Sequence, residues 1–233
     1  MIAFIHQPGY MPWLGFFDKL ARCDKFVVYD DVQFEKGGFH NRNRIRTEDG
    51  WGWLTVPIVH NHVQMIKDIL ISGDRWSGNH IKNIAHNYRN APYFEEFMPR
   101  IEEAISASSD REPLIELDMR LTEALAEILG IKVKVVRSSE LPYHQEGEGK
   151  NEKIVAMCKH AGADTYLSGQ GGRGYIDESV FSEAGVKVVW HDYRHPEYPQ
   201  RFEGFQPFMS VIDLIFNSGP EEAKRIIMEG GIV

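Results

Sequence analysis

The chain has 233 residues, of which 42% are hydrophobic and 26% charged, with 34 acidic against 26 basic side chains and a formal net charge of −8. That is the composition of an ordinary folded protein with enough sequence for a large core, and its sign argues against a general attraction to nucleic acid. No apolar run approaches the ~20 residues that span a bilayer, and the start carries neither the basic region nor the cleavage site of a secretory leader, so a cytoplasmic protein without a membrane partner is expected.

An apolar run over residues 2–5 stops at His6-Gln7-Pro8-Gly9-Tyr10, after which Trp13, Phe16, Phe17 and Leu20 fall at helical spacing. This spells strand, tight turn and helix. A second apolar run, 26–29, ends in Asp30-Asp31 and completes a βαβ unit. Ligands in open α/β sheets sit beyond the carboxyl ends of the strands, so His6, Gln7, Gly9, Tyr10, Asp30 and Asp31 are expected to converge on a site. Residues 33–44 read as a polar and aromatic loop at its edge.

Further along, 50–59 alternates like a strand with Pro57 at its edge, and 66–71 reads as another. Helices are expected over 76–91, 94–107 and 112–129, the last with a stripe of Leu114, Leu117, Leu121, Leu125 and Ile128 stopped by Gly130. A strand at 132–137, a helix at 151–160, a short strand at 165–167, a helix through Phe181 and a strand at 186–190 follow, then helices at 210–217 and 220–228. The recurrence of strand and helix predicts an α/β fold: a parallel, Rossmann-like sheet flanked by helices. One domain over 1–233 is expected, with about 60–125 a mainly helical insertion or cap.

Four groups of residues carry chemical meaning. The glycines of Ser168-Gly169-Gln170-Gly171-Gly172-Arg173, between a strand and a helix, let backbone N–H groups approach an anion, so Ser168, Gly169, Gly171, Gly172 and Arg173 are candidate contacts to a phosphate or nucleotide sugar; a plain glycine-rich turn is the other reading. His6 is a candidate general base or a hydrogen-bonded structural group, and Asp30 and Asp31 orient it, bind a metal, or cap the turn. Asn41, Arg42 and Asn43, with Arg44 and with Lys36 nearby, offer forked donors to a carboxylate or phosphate, or form a solvated loop. His60-Asn61-His62, His80 and His86 lack a carboxylate or cysteine at a recognisable zinc spacing, so no metal site is assigned. Cys23 and Cys158 lie among apolar neighbours and are read as buried thiols.

The motifs His6-Gln7-Pro8-Gly9-Tyr10 with Pro12-Trp13, Phe17-Asp18-Lys19, Asp24, Asp30-Asp31-Val32-Gln33-Phe34, Asn41-Arg42-Asn43 and Trp53-Leu54-Thr55-Val56-Pro57 occur in that order. They continue with Tyr166-Leu167-Ser168-Gly169, Gly171-Gly172, His195-Pro196 and Ser210-Val211-Ile212-Asp213 with Phe216-Asn217. Together they resemble the WbqC-like family almost end to end. The resemblance implies work on O-antigen or other surface polysaccharides, near enzymes of amino-sugar nucleotides, and favours transfer of an acyl or aminoacyl group to a sugar amine. The layout is also similar to that of pantothenate synthetase and related adenylyl-transferring proteins, in which ATP activates a carboxylate. The HxGH signature of those proteins is absent, with Gly9-Tyr10-Met11-Pro12 in its place, so ATP is left open as a cofactor.

Three functions follow. In a transferase His6 takes a proton from the sugar ammonium, Asp30 or Asp31 orients it, Asn41, Arg42 and Asn43 hold an anionic group, and the 168–174 loop holds the diphosphate. A metal-assisted deacylase and a non-catalytic binder of nucleotide sugar or glycan are the alternatives.

Overall fold

The structure, a computed structural model, describes residues 1–60, 63–145 and 149–232. Strand β1 (Ile2–His6), helix α1 (Leu14–Arg22) and strand β2 (Lys25–Val28) form the expected unit. β1 and β2 pair in parallel from Ala3 with Lys25 to His6 with Val28. The chain then leaves the main sheet for two small antiparallel pairs, β3 (Arg42–Thr47) with β4 (Gly50–Thr55) and β5 (Ile58–Val59) with β6 (Leu70–Ile71). Helices α2 (Arg75–Tyr88), α3 (Phe94–Ser106) and α4 (Leu114–Ile128) follow. The sheet resumes with β7 (Lys134–Arg137), α5 (Lys150–His160), β8 (Thr165–Gly169), α6 (Glu178–Glu183) and β9 (Lys187–Tyr193). Helices α7 (Val211–Ser218) and α8 (Pro220–Gly230) and strand β10 (Gly231–Ile232) close the described chain.

The main sheet has six strands in the order β10-β9-β8-β1-β2-β7. All pairings are parallel except that of β10 with β9, so the fold is α/β with a mostly parallel central sheet flanked by helices. From β1 the chain winds outward through β2 to β7, and then the other way through β8 to β9. The direction reverses between β1 and β8.

The alternation of β1 explains why it is central. Phe4 faces one core, where Phe16, Leu20 and Phe26 meet it together with the stripe of α4 and residues of α2, α3, α7 and α8. Ala3 and Ile5 face a second core with Val27, Met157 and Phe181. A strand covered on both faces must be apolar at successive positions, as this one is. Cys23 and Cys158 are buried, free thiols, and burial pushes both up to about 12, which suits packing and not nucleophilic chemistry.

Four stretches differ from the expectation. Residues 42–44, the end of the expected loop, open strand β3: Asn43 and Ile45 point inward and are buried, and Arg42, Arg44 and Arg46 around them masked the alternation. Arg46, also buried, is tolerated because its guanidinium donates to the carbonyls of Thr47, Gly50, Glu203 and Gly204. Residues 50–59 are two strands, β4 and β5, separated by Val56-Pro57. Residues 66–71 are a 3-10 turn over Ile66–Asp68 followed by the two residues of β6, and the short β10 was not foreseen at all.

Candidate functional site

Where β1 hands over to α1, a cleft of about 450 Å³ opens. It is lined by the turn from His6 to Tyr10, by Trp13 and Phe16, by residues of 35–44 including Phe39, His40 and Arg44, and by Phe208. It lies at the carboxyl end of the central strand, beside the reversal of strand order, which is where sheets of this kind bind ligands.

His6 Nδ1 is 2.7 Å from the Gln7 carbonyl, which only accepts, so Nδ1 carries the proton and Nε2 keeps a lone pair. The residue is exposed in the cleft. Desolvation by the groups around it, with the nearby charge of Lys19, lowers the imidazole and favours its neutral form. His40 is arranged alike: Nδ1–H donates to the Pro8 carbonyl at 2.9 Å, and burial lowers its pKa.

Tyr10 lies beneath them and is fully buried. His80 Nε2–H donates to the Thr55 carbonyl at 3.2 Å, so its Nδ1 accepts from the Tyr10 hydroxyl at 2.8 Å. The hydroxyl is thereby spent on the floor of the cleft and not on a ligand. Burial lowers His80 to about 4, so its contribution to stability is present above the unfolded value near 6.5 and lost as pH falls through about 4. Acidification from pH 7 to pH 4 is expected to remove about 3 kcal/mol through this residue. Thermal melts of wild type and His80→Gln across that range check it: the variant should show the shallower slope.

The residues expected to hold an anion divide into two groups. Asn41 Nδ2 donates to the Val56 carbonyl at 2.8 Å, and Asn43 Nδ2 to the carbonyls of Tyr10 and Met11 at 3.1 and 2.7 Å. Arg42 lies 4.2 Å over the Trp53 ring and donates to the carbonyls of Gly37 and Gly38. These three side chains hold the walls of the cleft. Arg44 is different: its guanidinium rests 4.7 Å from the Trp51 ring and 5.2 Å from Trp53, makes no side-chain hydrogen bond among the described residues, and has a buried Nε without a partner. It lines the cleft with its donors free. Lys36 is exposed and lies outside the lining, whereas Gln7 and Gly9 belong to it.

Asp30 and Asp31 do not orient His6; its Nδ1 is oriented by the Gln7 carbonyl. Asp30 accepts from Ser138 Oγ at 3.0 Å and from Ser139 N and Oγ at 3.0 and 2.8 Å. Asp31 accepts from Ser138 Oγ, from Tyr143 OH at 2.8 Å and from His144 Nε2 at 2.6 Å. Burial raises the Asp31 carboxyl, but these hydrogen bonds outweigh it and hold the group below its ordinary value. The pair thus anchors the segment after β7. His144, whose side chain is 53% exposed, contacts this buried carboxylate from a 3-10 turn over Pro142–Gln145 and was not singled out from the sequence, because it lies well past the end of β7.

The glycine-rich loop sits at the end of β8, one strand over from β1. Ser168 is buried, and a Cβ on Gly172 would meet its Oγ at 2.3 Å, so that glycine serves close packing. Arg173 donates to Gln170 Oε1 at 2.6 Å and lies 4.5 Å over Trp190. Gly171 faces open space, and Gly169 faces Lys19, whose Nζ would stand 3.4 Å from an added Cβ. Lys19, also missed, sits 4.6 Å over the Phe4 ring, and burial lowers its ammonium to about 8 against the opposing charge of Asp18.

The His60 ring packs 5.2 Å from Phe34, while Asn61 and His62 lie outside the described residues. Among the described residues no group of three or more His, Cys, Asp or Glu is disposed to hold a metal, and no helix is long and apolar enough to cross a membrane.

Comparison with known proteins bears on this geometry. The model of the WbqC-like protein family matches residues 7–225. An uncharacterised protein of Mycobacterium tuberculosis is 37% identical over 220 residues, covering 93% of this chain and 94% of the relative. No solved structure matches the chain.

Proposed function

The chain belongs to the WbqC-like protein family, and from that premise we propose that it is a transferase of surface-polysaccharide biosynthesis. In this reading a Rossmann-like sheet presents an amino sugar carried by a nucleotide to an acyl or aminoacyl donor, and an amide is formed. The observation that carries it is the pairing, within one cleft, of a neutral proton acceptor, His6 Nε2, with a guanidinium free of other hydrogen bonds, Arg44.

The chemistry divides between them. Arg44 takes a carboxylate or phosphate of the bound reactants in forked fashion. Trp13, Phe39 and Phe208 supply the apolar surface that a sugar ring packs on. A lowered imidazole is a weak base, so His6 is not assigned the stripping of a free ammonium. The amine arrives neutral and attacks the acyl carbon, and His6 takes the nitrogen proton once the C–N bond is forming and that proton has become strongly acidic. The acyl leaving group departs with the bonding pair. Positioning and charge stabilisation in a preorganised cleft supply the rest.

The experiment is incubation of the protein with a nucleotide-linked amino sugar and an activated acyl donor, with mass spectrometry of the sugar. A gain of the acyl mass is expected, reduced ~10²- to 10⁴-fold by His6→Ala in a protein that still melts cooperatively. Unchanged turnover in His6→Ala would remove the base assignment. Loss of an acyl group from an acylated sugar would indicate a deacylase, binding without turnover a carrier, and a requirement for ATP an adenylated donor.

A further inference from the structure

We propose that Lys19 is the cation that binds the diphosphate of a nucleotide at the crevice between β1 and β8, together with the backbone of the loop that begins at Gly169. The proposal rests on the reading of the protein as one that handles a nucleotide-linked sugar, and it adds the group and the place that hold the nucleotide.

Lys19 projects from α1 over the apolar ring of Phe4, with its Nζ 4.6 Å from the ring centroid. An ammonium has three donors, and this one makes no hydrogen bond among the described residues. The neighbouring carboxylate, Asp18, forms no ion pair with it: Asp18 Oδ2 accepts from Arg22 Nε at 2.9 Å and from His191 Nε2 at 2.5 Å, and Oδ1 is buried without a hydrogen-bond partner. A half-buried ammonium held over an apolar ring without a hydrogen bond to protein has its donors available to a ligand.

Its position says which ligand. Phe4 belongs to β1 and Gly169 ends β8, so Nζ stands at the reversal of strand order, between the His6 cleft and the glycine-rich loop. Gly169, which faces Nζ, and Gly171, which faces open space, leave the loop backbone approachable. A point charge beside a loop whose glycines leave its backbone uncovered is an arrangement that takes a phosphate. A nucleoside diphosphate spans farther than a single carboxylate, and only such a ligand needs both this crevice and the cleft beyond it. Arg173 is already engaged with Gln170 and Trp190, which leaves Lys19 to supply the charge.

The test is isothermal titration of the full chain with UDP and with uridine, for wild type and Lys19→Met, alongside thermal melts without ligand. UDP is expected to bind wild type and uridine far more weakly, and Lys19→Met is expected to weaken UDP ~10- to 100-fold. The variant should melt close to the wild-type temperature, because an apolar chain of like length keeps the packing on Phe4 and gives up only the contact of the charge with the ring. Equal affinity of wild type and Lys19→Met for UDP overturns the proposal, as does a wild type that binds neither compound. A nucleotide amino sugar that binds and depends on Arg44 but not on Lys19 overturns it while leaving the proposed function intact.

Discussion

Replacing Asp213 by alanine is expected to cost ~3–5 kcal/mol, a drop of roughly 10 °C in melting temperature for a chain of this size. The carboxylate is fully buried in α7 and accepts from Tyr88 OH at 2.9 Å, Tyr198 OH at 2.9 Å and Gln200 Nε2 at 2.8 Å. Tyr88 OH in turn accepts from the backbone N–H of Arg46 at 2.8 Å, so one side chain ties α7 to α2, to β3 and to the segment after β9. Alanine leaves two buried hydroxyls and a part-buried amide without their acceptor, which costs more than the mean worth of the bonds removed. The effect depends on pH. Burial pushes Asp213 from 3.8 up to about 6, against the hydrogen bonds that pull it down. Its stabilisation is therefore fully present below the unfolded value and lost as pH rises through about 6, so the gap between wild type and Asp213→Ala should widen by about 3 kcal/mol from pH 8 to pH 4. This is the reverse of the His80 dependence. Denaturant titrations of both proteins at the two pH values measure it.

Replacing Arg44 by glutamine is expected to raise the dissociation constant for an anionic nucleotide sugar ~10- to 100-fold, the worth of hydrogen bonds to a charged group. Arg42, two residues away on the same strand, should behave differently. It is engaged with the Gly37 and Gly38 carbonyls, whereas Arg44 is held flat by aromatic rings with its donors free. Arg44→Lys should recover only part of the loss, because it restores the charge but not the fork. The variants should lose no more than ~1 kcal/mol of stability, through the contacts with Trp51 and Trp53. Isothermal titration and a thermal melt of each separate a binding role from a structural one; a large fall in stability without change in affinity would return Arg44 to the scaffold.

The contrast between these arginines shows what the sequence could disclose. The βαβ unit was legible because its apolar runs and helical spacing are strong and local, and His6, Gln7 and Gly9 reach the cleft because a tight turn after a strand has few places to go. The partners of Asn41, Arg42 and Asn43 were not legible. Their hydrogen bonds go to five backbone carbonyls, reached at separations as long as that between Asn43 and Tyr10, and no spacing rule encodes them. Likewise Asp30 and Asp31 read as partners of His6 because all three end neighbouring strands, yet their donors come from 138–144, over a hundred residues on. Lys19 was hidden for the opposite reason. On a helix it passes for a solvated charge, and only the packing of α1 against β1 places it over Phe4.

The central claim is that this cleft receives a nucleotide-linked amino sugar. Isothermal titration of the wild-type chain with UDP-glucosamine, which carries both the free amine and the diphosphate, tests it most directly. The account predicts saturable binding of one molecule per chain, stronger than that of UDP or of glucosamine alone. A flat titration, repeated across nucleotide amino sugars that differ in base and in the position of the amine, would contradict it.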